Sequence, residues 1–251
     1  MPLRLYVLML YNKSTMYCSN DRTHDFSWGE NFPLLYNHTS IAYLKRCSGF
    51  NSAKRGSMRD ALQVAACTVK SRRIQELREK YPQAVLLPVR GKNKLPEALA
   101  RTIGLSVNTN IRQLQKAQAP PRKDLSAMAR LLHKPCFRGS VLGGENYIIV
   151  DDIVTQGGTV AALRQFILSK GGFVVAVVAL AQSAGSGVLA PSPERIEQLS
   201  EKFDYSLLIN VLRSYHIADD LREMTNSQIK YLSRFKTMEG LVKKIGKVYG
   251  M

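Results

Sequence analysis

The run Ile148-Ile149-Val150-Asp151-Asp152-Ile153-Val154-Thr155-Gln156-Gly157-Gly158-Thr159 decides the fold of this chain. Residues 147–150 are continuously apolar and predict a buried strand, residues 159–169 predict a helix, and residues 151–158 predict a loop between them. Two aspartates stand at the carboxyl end of the strand, and two glycines in the loop allow the backbone to approach a ligand closely. The run therefore predicts a strand, loop and helix unit with a binding site at its loop.

The loop has the chemistry of a phosphate site next to a carboxylate pair. Backbone N–H groups at a helix start bind anions with the help of the helix dipole, and Thr155 and Thr159 offer hydroxyl donors. The carboxylates of Asp151 and Asp152 would repel that phosphate unless they faced another group, for which vicinal ribose hydroxyls are the natural partners. The spacing thus fits a 5-phosphorylated ribose. The alternative is a helix-capping turn with incidental carboxylates.

The same order of elements occurs elsewhere along the chain. Residues 84–89 predict an apolar strand, residues 90–94 a basic loop and residues 95–103 a helix, while residues 173–180 predict another buried strand. Upstream of these, residues 58–80 predict one long helix. The alternation predicts an α/β fold: an open, mostly parallel sheet with helices on both faces, N- and C-terminal additions, and the ligand at the carboxyl ends of the strands.

The run at residues 148–159 resembles the phosphoribosyl-pyrophosphate (PRPP) motif of type I phosphoribosyltransferases. The resemblance implies that Asp151 and Asp152 are the catalytic pair and contact the ribose 2- and 3-hydroxyls. It also implies a loop that holds the 5-phosphate, formed by Thr155, Gln156, Gly157, Gly158 and Thr159. Gln156 departs from the small or hydroxyl residue that is common at its position, which removes one hydroxyl donor.

A second match lies at the loop after the upstream strand, where the family carries its pyrophosphate loop. The residues there are Val89, Arg90, Gly91 and Lys92, and the family pattern predicts a cis peptide between Val89 and Arg90, at a cost of about 3 kcal/mol. An ordinary solvated basic loop is the alternative. Residues 87–105 and 115–131 are similar to the ComF-like branch of the family, although the loop departs from that branch's Arg-Gly-Phe-Asn-Gln pattern.

The resemblance covers residues 84–182 and implies a phosphoribosyltransferase. Such an enzyme binds PRPP with Mg²⁺, transfers the phosphoribosyl group to a nucleophilic acceptor, unidentified here, and releases pyrophosphate. The Mg²⁺ is held mainly by PRPP, so no direct protein ligand is predicted. Basic residues that could fold over the diphosphate are Arg112, Lys116, Arg122, Lys123 and Arg130. A non-catalytic regulator that senses PRPP or a nucleotide, or a nucleic-acid-associated effector, would use the same pocket.

Positive charge is unevenly distributed along the chain. The formal net charge is +17, and residues 84–138 carry 11 basic and 2 acidic side chains. This balance implies phosphate-bearing partners without separating a small polyphosphate from a nucleic acid. Residues 225–251 carry 6 basic and 1 acidic side chains at helical spacing, with Thr225 as a predicted cap. They predict a helical pair whose basic face is either solvated or contacts nucleic acid.

Length and composition limit the class of protein and its possible domain organisation. The 251 residues, 45% hydrophobic and 22% charged, exclude a disordered or collagenous chain. We expect an N-terminal addition in residues 1–56, with a first strand at residues 3–10, a core in residues 57–182, and core completion with basic helices in residues 183–251. No apolar run reaches 18 residues, which predicts no membrane partner. The spacing of the four cysteines favours free thiols in the cytoplasm, and a homo-oligomer is left open.

Overall fold

A four-stranded parallel sheet forms the centre of the part of the chain that the computed structural model describes, which is residues 25–29, 32–108, 110–114, 125–183 and 187–249. The strands are β1 (Tyr36–Ser40), β2 (Val85–Pro88), β3 (Arg112–Leu114), β4 (Cys136–Arg138), β5 (Asn146–Val154) and β6 (Phe173–Gln182). The order in the sheet is β1, β6, β5, β2, and every neighbouring pair is parallel. Strands β3 and β4 form a separate antiparallel pair.

The helices fill the connections between these strands. They are α1 (Ile41–Arg46), α2 (Phe50–Lys54), α3 (Met58–Thr68), α4 (Ser71–Lys80), α5 (Leu95–Ile103), α6 (Ala127–Leu132), α7 (Gly158–Leu168), α8 (Pro193–Lys202), α9 (Tyr205–Ser214), α10 (Asn226–Leu232) and α11 (Met238–Tyr249). None of the described helices is long and apolar enough to cross a membrane.

The two central strands bury both of their faces. In β5, Ile148 and Val150 pack into one core with α3 and α5, whereas Tyr147 and Ile149 pack into a second core with α7. Successive side chains of a strand point to opposite faces, so a continuous apolar run is what a strand covered on both sides needs. The predicted parallel sheet with helices on both faces is therefore confirmed.

A third core lies in the C-terminal helices. Buried side chains of α8, α9, α10 and α11 form it together with Met128, Leu131 and Leu132 of α6. Thr225 caps α10 in a capping box with Gln228, which confirms the predicted cap. The short apolar run at residues 205–211 lies in helix α9, because apolar residues at this spacing form one face of a helix that packs on the bundle.

The helix predicted over residues 58–80 is wrong as a single element. It is broken into α3 and α4 at Val69, whose extended backbone (φ −71°, ψ 134°) ends α3. The next residue, Lys70, donates its backbone N–H to Nδ1 of His38 at 3.1 Å. The break has a tertiary cause, since the acceptor comes from β1.

Other predictions have mixed outcomes. Strand β5 continues through Asp151 and Asp152 to Val154, so the loop begins later than predicted. Cys47 and Cys67 are free thiols, but Cys136 is disulfide-bonded, which corrects the expectation of free thiols at that position. The predicted strand at residues 3–10 lies outside the described residues. The domain boundaries after residues 56 and 182 stay predictions.

Burial of His38 predicts a pH-dependent stability. Desolvation lowers the pKa of this imidazole from 6.5 to about 4, helped by the nearby positive charges of Arg73 and Lys70. The unfolded chain therefore binds the extra proton more readily, and acid destabilises the fold. We expect the free energy of unfolding to fall by about 1.5 kcal/mol between pH 6.5 and pH 5 from this group. Urea unfolding at several pH values measures it.

The matched variant is His38→Asn, whose side-chain oxygen can still accept from Lys70 but does not titrate. Its overall stability will be lower, so the comparison is between the slopes of stability against pH. The expected outcome is a flatter slope for the variant between pH 5 and 6.5. Parallel profiles for the two proteins would show that His38 does not carry the effect.

Candidate active site

Two adjacent carboxylates lie at the carboxyl end of β5. Asp151 is 8% exposed and Asp152 is 5% exposed. The backbone N–H of Asp152 donates to Oδ1 of Asp151 at 2.8 Å, and Nζ of Lys54 lies 2.6 Å from Oδ2 of Asp152. Lys54 is the last residue of α2, so an element outside the motif supplies the counter-charge.

The two carboxyl groups have different environments. Burial is the largest cause that raises the pKa of Asp151 well above its usual value, and the neighbouring charge of Asp152 adds to the rise. Asp152 has the cation of Lys54 beside it. Pairs of carboxyl groups with unlike surroundings are typical of sites that bind or transform ligands.

The glycine turn opens α7. Gly157 precedes the helix with φ +72°, a left-handed conformation that glycine adopts without steric cost. Its carbonyl accepts from the N–H of Ala161 at 2.8 Å, and the N–H groups before Ala161 have no acceptor within the helix. Donors at the positive end of a helix dipole are of the kind that binds anions, and the phosphate role of this turn stays a prediction.

The basic loop follows β2 beside the end of β5. Val89 donates its N–H to the carbonyl of Val150 at 2.8 Å, which continues the parallel ladder. The Val89–Arg90 peptide is trans, so the predicted cis bond is wrong; the ladder continues with a trans peptide and avoids the cost of a cis bond, about 3 kcal/mol. Nζ of Lys94 lies 3.3 Å from Oε2 of Glu97, so the Lys94 side chain forms an ion pair with α5.

One cavity of about 410 Å³ brings the predicted site together. Its lining includes Asp151 and Asp152, the residues of the basic loop up to Asn93, and the whole turn from Thr155 to Thr159. The carboxylate pair, the turn and the loop residues Val89 to Lys92 thus line one space. Their roles toward a ligand stay predictions.

Six lining residues lie outside the sequence assignment. Three of them are polar, namely Lys54, Asn93 and Gln113, and three are apolar, namely Ile153, Val154 and Val160. Asn93 accepts from the N–H of Leu95 through Oδ1 at 3.1 Å and so holds the loop to the start of α5. Its place directly after Lys92 was a signal in the sequence. Lys54 and Gln113 carried none, because they reach the cavity from α2 and β3 through tertiary folding.

The basic residues predicted to fold over the diphosphate divide into three groups. Arg130 lines the cavity and donates from Nη1 to Oγ1 of Thr155 at 3.3 Å. Arg112 lies in β3, opposite Arg138 of β4. Lys116, Arg122 and Lys123 lie outside the described residues.

Thr225, in the C-terminal group of helices α8 to α11, contacts the glycine turn. The hydroxyl of Thr225 donates to the backbone carbonyl of Gln156, while it accepts from the N–H of Gln228 as the cap of α10. A Cβ built at Gly157 would lie 2.9 Å from the Cγ2 methyl of Thr225. The cap of one helix therefore packs against the start of another, and Thr225 is a positioning residue for the turn.

Replacing Thr225 with valine is expected to destabilise the protein by about 2 kcal/mol. The change keeps the shape of the side chain but removes the cap acceptor and leaves the carbonyl of Gln156 without its donor. Thr225→Ser keeps the hydroxyl and is the matched control. Denaturant unfolding of both variants measures the effect; equal losses for valine and serine would remove the hydroxyl from the explanation.

Comparisons with known proteins give distant relatives. No protein-family model matches the chain. It is 30% identical over 195 residues to protein TraN of Escherichia coli, a match that spans 73% of this chain and 43% of TraN. It is 29% identical over 154 residues to an uncharacterised protein of Haemophilus influenzae, spanning 57% of this chain and 34% of that protein. The chain thus spans less than half the length of both relatives.

Two phosphoribosyltransferases are among the solved structures that resemble the chain. A purine phosphoribosyltransferase from Pyrococcus horikoshii is 16% identical, with 59% of this chain and 77% of that chain covered and a TM-score of 0.31. A hypoxanthine phosphoribosyltransferase from Staphylococcus aureus is 12% identical, with 51% and 66% covered and a TM-score of 0.32. These scores are too low to define the fold, which rests on the strand order. The ComF-like branch stays a prediction.

Proposed function

We propose that the cavity binds PRPP and that the protein transfers the phosphoribosyl group to a nucleophilic acceptor. The observation that carries the proposal is one cavity lined by a carboxylate pair, a glycine turn at a helix start and a basic loop. A ligand with phosphate at both ends and hydroxyls between them matches this distribution. The PRPP-motif resemblance at residues 148–159 supports the same ligand.

The orientation of the ligand follows from the chemistry of each wall. The 5-phosphate would accept from the N–H groups at the start of α7 and from the hydroxyls of Thr155 and Thr159. The ribose 2- and 3-hydroxyls would donate to the carboxylates of Asp151 and Asp152. The diphosphate would lie toward Arg90 and Lys92, whose charges oppose its own.

The donor set fits Mg²⁺ shared with the ligand. Among the described residues, no cluster of three or more histidine, cysteine or acidic side chains forms a metal site. The sequence predicts no direct protein ligand for the ion, but Asp151 and Asp152 offer carboxylate oxygens next to the proposed ribose, and Mg²⁺ is commonly held by one or two carboxylates together with substrate phosphates. When bound, the ion would neutralise charge that develops on the departing diphosphate.

The chain's own residues would act by position and charge. The bond between ribose C1 and the diphosphate oxygen breaks, the electron pair leaves with pyrophosphate, and a new bond forms between C1 and the acceptor, which loses a proton. The positive charge that develops on the sugar is stabilised by Asp151 and Asp152, and the leaving group by the basic loop. The acceptor's identity is open, and the cytoplasm stays the predicted location.

The test combines binding and turnover. The protein is titrated with PRPP and Mg²⁺ by calorimetry, then incubated with a panel of bases and nucleotides while pyrophosphate release is measured. Binding with acceptor-dependent release supports the transferase. Binding without release for every acceptor supports the regulator that senses PRPP, and no binding at millimolar PRPP rejects both.

A second candidate rests on the C-terminal surface. Lys243, Lys244 and Lys247 are exposed on α11, while Leu241 and Ile245 of the same helix are buried in the bundle. This basic face suits the phosphate backbone of a nucleic acid. Affinity for DNA or RNA should then fall steeply with salt, and replacing the three lysines should flatten the dependence. An unchanged salt slope would reject this candidate.

A further inference from the structure

Lys54 occupies a position that the motif at residues 148–159 does not explain. Its Nζ lies 2.6 Å from Oδ2 of Asp152 and 5.9 Å from the ring centroid of Phe50. The side chain of Asp152 is 7% exposed and that of Lys54 is 39% exposed. A carboxylate this buried needs a cation, and a half-exposed lysine can supply one without being fixed in place.

The end of α2 is attached to the basic loop. The backbone N–H of Lys94 donates to the carbonyl of Ala53 at 3.1 Å, one residue before Lys54. A Cβ built at Gly56 would lie 3.6 Å from the carbonyl oxygen of Lys92. Lys54 therefore stands between the carboxylate end of the cavity and the wall that carries Arg90 and Lys92.

We propose that Lys54 is an exchangeable counter-cation: it pairs with Asp152 in the free pocket and moves to the anionic oxygens of a diphosphate when the ligand binds. This inference rests on the proposed function, because it takes the diphosphate as the occupant of the basic wall. The flexible four-carbon stem of lysine allows the ammonium to change partners by rotation of its side chain.

Two consequences of opposite sign follow. In the free protein, Lys54 competes with a divalent cation for Asp152, so its removal strengthens cation binding. In the bound protein, Lys54 adds a positive charge to the diphosphate site, so its removal weakens the binding of pyrophosphate. A residue with a purely structural role would not separate the two ligands in this way.

The first arm measures Mn²⁺ binding to the free protein by electron paramagnetic resonance. Lys54→Met is expected to raise the affinity for Mn²⁺ about tenfold, because it removes the cation in direct contact with Asp152. Lys92→Met is the matched control: it removes one positive charge from the same cavity lining without touching the ion pair, and we expect a change below about twofold. The gain of Lys54→Met should vanish in the double variant with Asp152→Asn.

The second arm measures the binding of inorganic pyrophosphate to the protein, with EDTA present to remove metal ions. Lys54→Met should bind it about tenfold more weakly than the unmodified protein, and Lys54→Arg should restore most of the loss. Thermal unfolding of each variant checks that the fold is intact.

Each outcome decides the proposal. Unchanged or weaker Mn²⁺ binding in Lys54→Met, a gain that persists without Asp152, or a gain matched by Lys92→Met overturns the competition with the cation. Unchanged pyrophosphate binding overturns the transfer to the diphosphate. If PRPP fails to bind the unmodified protein, the proposed function is rejected, while the Mn²⁺ arm still decides whether Lys54 holds the cation position.

Discussion

Asp152→Asn is expected to lower the affinity for PRPP by about 100-fold while the protein stays folded. The side chain keeps its size but loses the negative charge that would strengthen the hydrogen bonds it accepts from ribose hydroxyls. Hydrogen bonds to a charged group contribute about 1.5–3 kcal/mol each. Stability should change little, since Lys54 is exposed enough to be hydrated when its partner is neutral. Calorimetric titration with PRPP and Mg²⁺ measures the loss.

Asp219→Asn is a matched control for this variant. Asp219 pairs with Arg213 at 3.0 Å on the surface of the C-terminal bundle and does not line the cavity. We expect its PRPP affinity to equal that of the unmodified protein. If Asp152→Asn bound PRPP as tightly as Asp219→Asn does, Asp152 would have no part in the site.

Gly157→Ala is expected to destabilise the protein by about 3 kcal/mol and to abolish measurable phosphate binding at the turn. The left-handed backbone at φ +72° strains any residue with a Cβ, at about 1–2 kcal/mol. The new methyl group would also meet the Cγ2 methyl of Thr225 at 2.9 Å, so the start of α7 must shift. Denaturant unfolding and titration with PRPP measure the two effects separately.

Gly144→Ala isolates the part of the effect that comes from the backbone alone. Gly144 has a similar φ of +80°, but nothing lies within 4 Å of a Cβ built there. It should cost only the strain of about 1–2 kcal/mol. Adding Thr225→Ser to Gly157→Ala removes the clashing methyl group and should recover part of the lost stability. No recovery, or equal losses for both alanine variants, would mean that the contact with Thr225 is not the cause.

Much of the sheet was predictable because both faces of its central strands are covered. Continuous apolar runs then mark the strands, as at residues 147–150 and 173–180, and glycine marks the helix start at Gly157. The site residues were assigned through the resemblance of two segments to the type I phosphoribosyltransferases. That assignment agrees with the sheet, because the carboxyl ends of neighbouring parallel strands meet at one edge, and Asp151 and Gly91 both line the cavity there.

The remaining features depend on contacts between distant parts of the chain. The break at Val69 has no glycine or proline to mark it. The acceptor for the backbone N–H of the next residue, Lys70, is His38, which lies more than thirty residues earlier. Strand β1 lies within the segment interpreted as an addition, yet it pairs with β6 at the edge of the sheet. Lys54 likewise has an ordinary helical sequence around it. Only the folded arrangement brings it to Asp152.

The burial of β5 on both sides restricts the positions at which reactive or ligand-binding side chains can lie. From Tyr147 to Val150 neither face of the strand meets water, and an ionisable group introduced there would have no partner and no hydration. The strand's end, where the cavity opens, is the first place at which polar groups are tolerated while the sheet still fixes their backbone. New specificities could arise in this molecule by altering the surrounding loops, with the strand itself left unchanged.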